Sequence, residues 1–148
     1  MENKRLFGKI CSLHRRMSRE NTKLFSDYGI TPIQMQTLVF VHLNSENGKL
    51  ICQKDIENHI TLRASSVSTM LRTLEKSGLI ERSFADGDAR TKIVSLTEKG
   101  MGVCFKNKLL MEKCDALVQN ALTEAEQAEF EKLLNKILTA TEDYKKDV

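Results

Sequence analysis

The stretch between Arg63 and Lys76 carries the side chains that are best suited to contact an anionic surface. Apolar residues repeat there at helical spacing and predict a helix with one buried side: Val67, Met70, Leu71 and Leu74. Hydroxyl groups and cations occupy the other side: Ser65, Thr69, Arg72 and Lys76, with Ser66, Ser68 and Thr73 beside them. Short hydroxyl side chains let a helix approach a surface closely, and cations attract phosphates. Because a DNA major groove accepts one helix, this pattern indicates contact with double-stranded DNA.

The sign of the charge separates this interpretation from an ordinary solvent-facing helix. A solvated face mixes acids and bases, whereas Glu75 is the only carboxylate between Arg63 and Lys76. Arg72 is the best candidate for a bidentate contact with guanine, and a phosphate contact is its alternative. We expect base-edge or phosphate contacts from the following residues: Arg63, Ser65, Ser66, Ser68, Thr69, Arg72 and Lys76.

A β-hairpin is predicted directly after this helix. Ser77-Gly78 ends the helix, and strand-like runs cover residues 79–84 and 91–96. The turn between the strands, residues 85–88, contains Asp86-Gly87, a strong hairpin signal. A helix followed at once by a small hairpin is the winged-helix arrangement, and the hairpin is its wing. Arg82 and Lys92, one on each strand, are further candidates for phosphate contacts.

Three groups of residues in this region resemble the DNA-binding core of the MarR family, the multiple-antibiotic-resistance type regulators of bacteria. They are the run Leu74-Glu75-Lys76-Ser77-Gly78-Leu79-Ile80-Glu81-Arg82, the wing pair Asp88 and Arg90, and the run Leu96-Thr97-Glu98-Lys99-Gly100. The resemblance implies that Arg90 reaches the minor groove, where narrow A·T-rich segments attract a guanidinium. It implies that Asp88 holds the wing tip or orients Arg90. For Asp86, ordinary turn chemistry is the better interpretation.

The resemblance also implies how the chain is organised. We expect one MarR-like chain over residues 1–148, with a winged helix-turn-helix DNA-binding core at 31–100 and helical dimerisation regions at 1–28 and 101–148. The fold class is then mainly α with a small β-hairpin wing. The implied function is a transcriptional regulator, expected to be a ligand-responsive repressor that acts as a homodimer on a pseudo-palindromic operator. Its partners are double-stranded DNA, a second copy of the chain and a small-molecule effector.

The remaining elements follow from apolar spacing and capping signals. A first helix is predicted over residues 5–28, a second from Thr31-Pro32 to about Leu43, and a third over 52–60. A long helix is predicted over residues 97–122, and Thr123 begins another. Arg63 stands where the family usually has a capping residue, so either Thr61 caps the fourth helix or the helix start shifts.

Composition excludes several other classes of protein. The chain has 148 residues, 41% hydrophobic, and a net charge of +3, which permits a nucleic-acid partner without demanding one. We find no secretory signal and no apolar run of the roughly 20 residues that span a bilayer, so we expect a cytoplasmic protein without membrane contact. No catalytic triad order, glycine-rich phosphate loop or paired-carboxylate motif stands out. We therefore expect neither an enzyme nor a cofactor.

Cysteine and histidine residues offer two alternatives. No C-x-x-C pair is present, and the isolated residues His14, His42 and His59 are interpreted as structural, so no metal site is expected. Cys52 lies near a predicted helix start, where a thiol has a lowered pKa and can respond to oxidants. For Cys52, the simpler interpretation is a small, partly buried residue at the cap position. Cys11 is the other candidate thiol. A winged-helix module that binds proteins is the alternative to DNA binding.

Overall fold

The computed structural model describes residues 5–60 and 62–142. Within them the chain is mainly helical with one antiparallel hairpin, which confirms the expected winged-helix fold class. The elements are α1 (Leu6–Met17), α2 (Arg19–Tyr28), α3 (Pro32–Glu46), α4 (Gln53–His59), α5 (Ala64–Lys76), β1 (Ile80–Ala85), β2 (Asp88–Leu96), α6 (Glu98–Ala121) and α7 (Glu124–Glu142). None of the helices described is long and apolar enough to cross a membrane.

The hydrophobic core lies in the first of two compact units, which ends at Leu109. All four apolar residues predicted for the buried side of α5 are buried in it. Full burial of such a side chain contributes roughly 1.5–3 kcal/mol, so packing rather than helix propensity holds α5 in place. The other fully buried apolar side chains of this unit come from its remaining elements and the segments between them: Leu38, Val41, Ile51, Ile56, Leu79, Ile80, Val94 and Val103.

The start of α3 is fixed by the predicted capping box. The Thr31 backbone N–H donates to Gln34 Oε1 at 2.8 Å, and the Gln34 N–H donates to Thr31 Oγ1 at 3.4 Å. Pro32 occupies the first helical position, where its missing N–H is not needed. The helix therefore begins where the sequence predicts.

The predicted first helix is divided into two, α1 and α2, at Ser18. The Ser18 hydroxyl lies 3.3 Å from His14 Nδ1, and the Ser18 carbonyl accepts from both the backbone N–H and the hydroxyl of Thr22. The expectation of one unbroken helix over residues 5–28 was wrong, because the chain turns at Ser18 between α1 and α2.

The wing begins its second strand earlier than predicted. β2 starts at Asp88 rather than at residue 91, because Ala85 pairs with Asp88 before the register shifts and Phe84 pairs with Lys92. Gly87 has φ +77°, a backbone conformation that favours glycine in the turn. The sheet also gains a short edge contact, since the Val94 N–H donates to the Ile51 carbonyl at 2.7 Å.

Helix α5 begins without a side-chain cap. Arg63 precedes the first helical residue in an extended conformation and makes no capping hydrogen bond. The Arg63 carbonyl accepts from the N–H groups of Ser66 and Val67, so these two backbone donors at the start of α5 have a partner. The alternative cap, Thr61, lies outside the described residues.

The second unit begins at Leu110 and contains the rest of α6 and α7. The turn between them is a capping box in which the Thr123 N–H donates to Glu126 Oε2 at 2.9 Å. This hydrogen bond lowers the pKa of Glu126. Helix α7 leaves large apolar side chains exposed in the single chain: Phe130, Leu133, Leu134, Ile137 and Leu138.

Candidate nucleic-acid interface

The outer face of α5 presents the predicted contact residues together. Six of the seven are exposed and Ser68 is half-buried: Arg63, Ser65, Ser66, Thr69, Arg72 and Lys76 are the exposed ones. The buried and exposed sides of the helix therefore divide as the apolar spacing predicts. Small hydroxyl side chains between cations leave a low surface that a groove can accept.

The hydroxyl groups on this face form a ladder along the helix. Thr69 donates to the Ser65 carbonyl at 3.0 Å, Thr73 to the Thr69 carbonyl at 3.1 Å, and Ser77 to the Thr73 carbonyl at 3.0 Å. Since the protons of these three hydroxyl groups are used inside the helix, their outward lone pairs remain as acceptors. Acceptors on α5 complement the amino groups of cytosine and adenine in the major groove.

A groove of about 510 Å³ runs beside α5 along the start of α3. Hydroxyl, amide and apolar side chains share its lining: Thr31, Ile33, Gln34, Leu62, Ser65, Ser66, Thr69, Met70 and Thr73. The contact face of α5 is thus flanked by a concave, uncharged surface. No carboxylate lines this groove, so nothing there repels a phosphate backbone.

The one carboxylate of α5 is paired with the wing. Glu75 Oε2 accepts hydrogen bonds from Nε of Arg82, at 3.1 Å, and from its Nη2. The Arg82 hydrogen bonds lower the pKa of Glu75. The sequence interpretation missed this pair because it considered Arg82 only as a phosphate ligand. The signal available was a Glu and an Arg on either side of the Ser77-Gly78 turn.

Asp88 organises the wing tip through the backbone. Its Oδ1 accepts from the Arg90 N–H at 2.8 Å. Hydrogen bonds from Thr91 first, and then from the Arg90 backbone, lower the pKa of Asp88. The Arg90 side chain itself is exposed. This contact is compatible with both roles expected of Asp88, holding the tip and orienting Arg90.

The Leu-Thr-x-x-Gly motif joins α5, β1 and α6 at one point. Thr97 Oγ1 donates to the Gly78 carbonyl at 2.6 Å and accepts from the Gly100 N–H at 3.1 Å. Gly100 packs against the backbone of Leu79, where an added Cβ would lie 2.0 Å from the carbonyl oxygen. Lys99 Nζ donates to the Ser77 carbonyl at 2.8 Å. The motif therefore fixes the end of α5 against the start of α6.

The candidate thiols lie in unlike surroundings. Cys52 precedes α4, and its Sγ donates to Asp55 Oδ2 at 3.2 Å. The Cys52 backbone N–H also donates to Asp55, and this hydrogen bond is the main cause of the lowered pKa of Asp55. Cys11 is half-buried on α1, in a groove that it shares with His14 and Arg15.

The histidines make local contacts. The His59 ring stacks on Phe40 with centroids 4.0 Å apart, and His42 lies 3.6 Å from Glu46. Among the described residues no three His, Cys, Asp or Glu side chains are grouped as a metal site would require.

Comparison with known proteins places the chain in a family. Residues 28–91 match the family model described as MarR family. The organic hydroperoxide resistance transcriptional regulator of Bacillus subtilis is 31% identical over 108 residues, which cover 68% of this chain and 71% of that protein. The chain belongs to the MarR family. This confirms the resemblance that the α5, wing and Leu-Thr-x-x-Gly residues indicated.

Two relatives named as HTH-type regulators extend the comparison. The uncharacterized HTH-type transcriptional regulator YdcH of Bacillus subtilis is 33% identical over 97 residues, 66% of each chain. The HTH-type transcriptional repressor Rv2887 of Mycobacterium tuberculosis is 26% identical over 83 residues, 56% of this chain and 60% of that protein. The chain thus spans slightly less than two thirds of the length of these two curated relatives. Relatives of this family are named as regulators rather than as enzymes.

Solved MarR-family structures show the same fold. The S. aureus MepR–DNA complex has a TM-score of 0.72 at 23% identity and covers 87% of this chain and 94% of that chain. MepR bound to ethidium bromide has a TM-score of 0.71 at 24% identity, with 95% and 96% covered. At this level of identity the likeness establishes the winged-helix fold.

Proposed function

We propose that the chain is a double-stranded-DNA-binding transcriptional regulator, a repressor that acts as a homodimer on a pseudo-palindromic operator. The observation that carries the proposal is the outer face of α5, where cations and hydroxyl acceptors are exposed and the single carboxylate, Glu75, is paired with Arg82. The naming of relatives as repressors and the complex of MepR with DNA support it. A protein of this kind acts on the chromosome, so the proposal implies a cytoplasmic location.

In this proposal α5 lies in the major groove and the wing in the adjacent minor groove. Arg72 and Lys76 contact bases or phosphates from the helix, while Arg90 enters the minor groove from the wing tip. Asp88 contributes indirectly, because it fixes the backbone from which Arg90 projects. Two copies related by a two-fold axis would place their α5 helices one helical turn apart, about 34 Å, on the same side of the duplex.

Dimerisation is proposed for the regions 1–28 and 101–148, with 31–100 as the DNA-binding core. Helix α1 exposes apolar side chains in the single chain, with Phe7 78% and Leu6 65% exposed. Helices α6 and α7 also expose large apolar side chains, and apolar surface of this kind marks interaction sites. A second copy of the chain would bury them. Light scattering during size exclusion should give twice the mass of 16.8 kDa.

A small-molecule effector is proposed to act through the spacing of the two α5 helices. Each DNA-binding core is attached to helices of the dimerisation region, so a ligand that favours another spacing weakens operator binding. Such a ligand must bind the two arrangements with different affinity, because equal affinity shifts nothing. MepR has been solved with ethidium bromide, which supports an organic ligand for a protein of this fold.

The test of this function is binding to the DNA upstream of the coding region, measured by fluorescence anisotropy over a range of salt concentrations. Affinity should fall steeply with salt, since each neutralised phosphate releases counterions. A protein-interaction module with the same fold would show no binding to this DNA. Tight binding that ignores salt would also contradict the proposal.

A thiol-based regulator is the second candidate function, because one relative is named as an organic hydroperoxide resistance regulator. Cys11 is the better placed thiol, since Cys52 donates to a carboxylate. Mild peroxide should then release the wild-type protein from DNA but leave a Cys11→Ser variant bound. Unchanged binding by the fully oxidised wild type would eliminate this candidate.

A further inference from the structure

The ion pair between Glu75 and Arg82 crosses from α5 to the wing. Glu75 lies in the last turn of α5, and Arg82 lies near the start of β1, seven residues later. Both Nε and Nη2 of the guanidinium point at one carboxylate oxygen. The Arg82 side chain is only 18% exposed, against 38% for Glu75. This arginine is thus turned toward the helix and largely removed from solvent.

Neighbouring side chains extend this pair along one face of the wing. Arg82 and Phe84 are two residues apart on β1, so their side chains lie on the same face of the hairpin. Their partners across the hairpin are Val94 and Lys92. Val94 is buried, which identifies this face as the one turned toward the core. Lys92 Nζ lies 5.4 Å from the Phe84 ring centroid and adds a second favourable charge for Glu75. The wing is therefore joined to α5 by apolar packing at its base and by charge above it.

From this arrangement we propose that Glu75 and Arg82 are positioning residues that hold the wing at a fixed distance from α5. This rests on the proposed function, because the purpose of the spacing is to let α5 and Arg90 reach adjacent grooves together. A two-stranded hairpin is marginally stable alone, so its orientation depends on such contacts. Arg82 would then support DNA binding without contacting a phosphate.

The alternative role for Arg82, a phosphate ligand, predicts the opposite response to one substitution. Glu75→Gln removes a negative charge from the DNA-binding face, and by charge alone it should strengthen binding. If Arg82 were a phosphate ligand, the same change would release it toward the DNA and strengthen binding further. The positioning role predicts weaker binding, because a neutral amide holds the guanidinium less strongly than the carboxylate does and the wing is less firmly oriented.

The first experiment compares Glu75→Gln with a matched control, Glu81→Gln. Glu81 is the exposed carboxylate beside Arg82 on β1, so its removal changes the net charge equally. We expect Glu75→Gln to weaken operator binding about fivefold to tenfold, where tenfold corresponds to about 1.4 kcal/mol. Glu81→Gln should bind as tightly as wild type or slightly better. Unchanged or tighter binding by Glu75→Gln would overturn the proposal.

A second comparison separates positioning of the wing from a general loss of stability. In an Arg90→Ala background the contact between the wing and DNA is already absent, so adding Glu75→Gln should lower operator affinity little further. In an Arg72→Ala background the contact between the wing and DNA remains, so the losses of operator affinity from Arg72→Ala and Glu75→Gln should add. Equal losses in both backgrounds would show that the pair does not act through the wing.

A third measurement needs no DNA and keeps this inference separable from the proposed function. Hydrogen exchange of the wing amides, residues 80–96, should be at least several-fold faster in Glu75→Gln than in Glu81→Gln, while α3 exchanges equally in both. If the wild type binds no DNA but the wing exchange rises, the proposed function fails and the structural link survives. Unchanged wing exchange would refute the link itself.

Discussion

At the scale of single residues, the candidate contact residues differ in whether their side chains are already hydrogen-bonded within the protein. The Thr69 and Thr73 hydroxyl groups of α5 donate to helix carbonyls, whereas the Arg72 and Arg90 side chains are exposed and free to reach DNA. The composition of this face was readable from sequence, because a stripe of Ser, Thr and Arg without acid has few structural explanations. The pairing of Glu75 with Arg82 was not, since it depends on the angle between a helix and a strand.

Replacing Arg72 or Arg90 with alanine should lower operator affinity by about 1–3 kcal/mol each. Both side chains are exposed, so neither change should alter the thermal unfolding temperature appreciably. Anisotropy titrations at one fixed salt concentration measure the loss. Wild-type affinity in both variants would show that α5 and the wing tip are not the contact surface.

Gly100 is predicted to tolerate no side chain. A Cβ there would lie 2.0 Å from the Leu79 carbonyl oxygen, so Gly100→Ala must displace backbone and should destabilise the fold by roughly 1–3 kcal/mol or more. Gly102 lies two residues along α6 with nothing within 4 Å of an added Cβ. Gly102→Ala should therefore be neutral or stabilise by about 0.5–1 kcal/mol. Urea unfolding of both variants measures the difference, and equal stability would contradict the packing described at this junction.

Cys104 should be the least reactive of the described thiols. It is 3% exposed, and burial raises its pKa to about 11. Because the thiolate is the reactive form, Cys104 stays neutral and unreactive at pH 7–8, while Cys11 is more accessible. The raised pKa also stabilises the folded state below the ordinary thiol range, and this contribution is lost as pH rises toward about 11. Peptide mapping after brief alkylation measures the order; early labelling of Cys104 would contradict it.

At the scale of elements, capping signals predicted the helix starts well, whereas apolar spacing did not predict the irregularities. The Thr31 and Thr123 boxes form because each places an acceptor beside free backbone donors, which is a local property. The first helix is broken at Ser18, and the early start of β2 follows from the register at the wing tip. Neither has a signature in apolar spacing. Arg63 provides no side-chain cap, but its carbonyl accepts from two backbone N–H groups at the start of α5.

At the scale of the whole molecule, the family relation and the fold are established, while assembly is predicted. Apolar side chains on α1 and α7 that a single chain leaves exposed indicate a partner surface. Replacing Leu134 on α7 with glutamate should shift the chain toward monomer at micromolar concentration, because a buried unpaired charge is strongly unfavourable. Analytical ultracentrifugation measures this shift, and replacing the exposed Lys132 with glutamate provides a control that should leave the dimer intact. A wild-type chain that sediments as a monomer would remove the two-fold arrangement.

The most direct test of the central claim is the salt dependence of binding to the DNA immediately upstream of the coding region, measured for wild type and for the Arg72→Ala and Arg90→Ala variants. We predict a steep fall in affinity with salt for the wild-type protein. Each substitution that removes a phosphate contact should reduce the slope by about one for each subunit. Slopes and affinities that are the same in all three proteins would contradict the assignment of α5 and the wing as the DNA-binding surface.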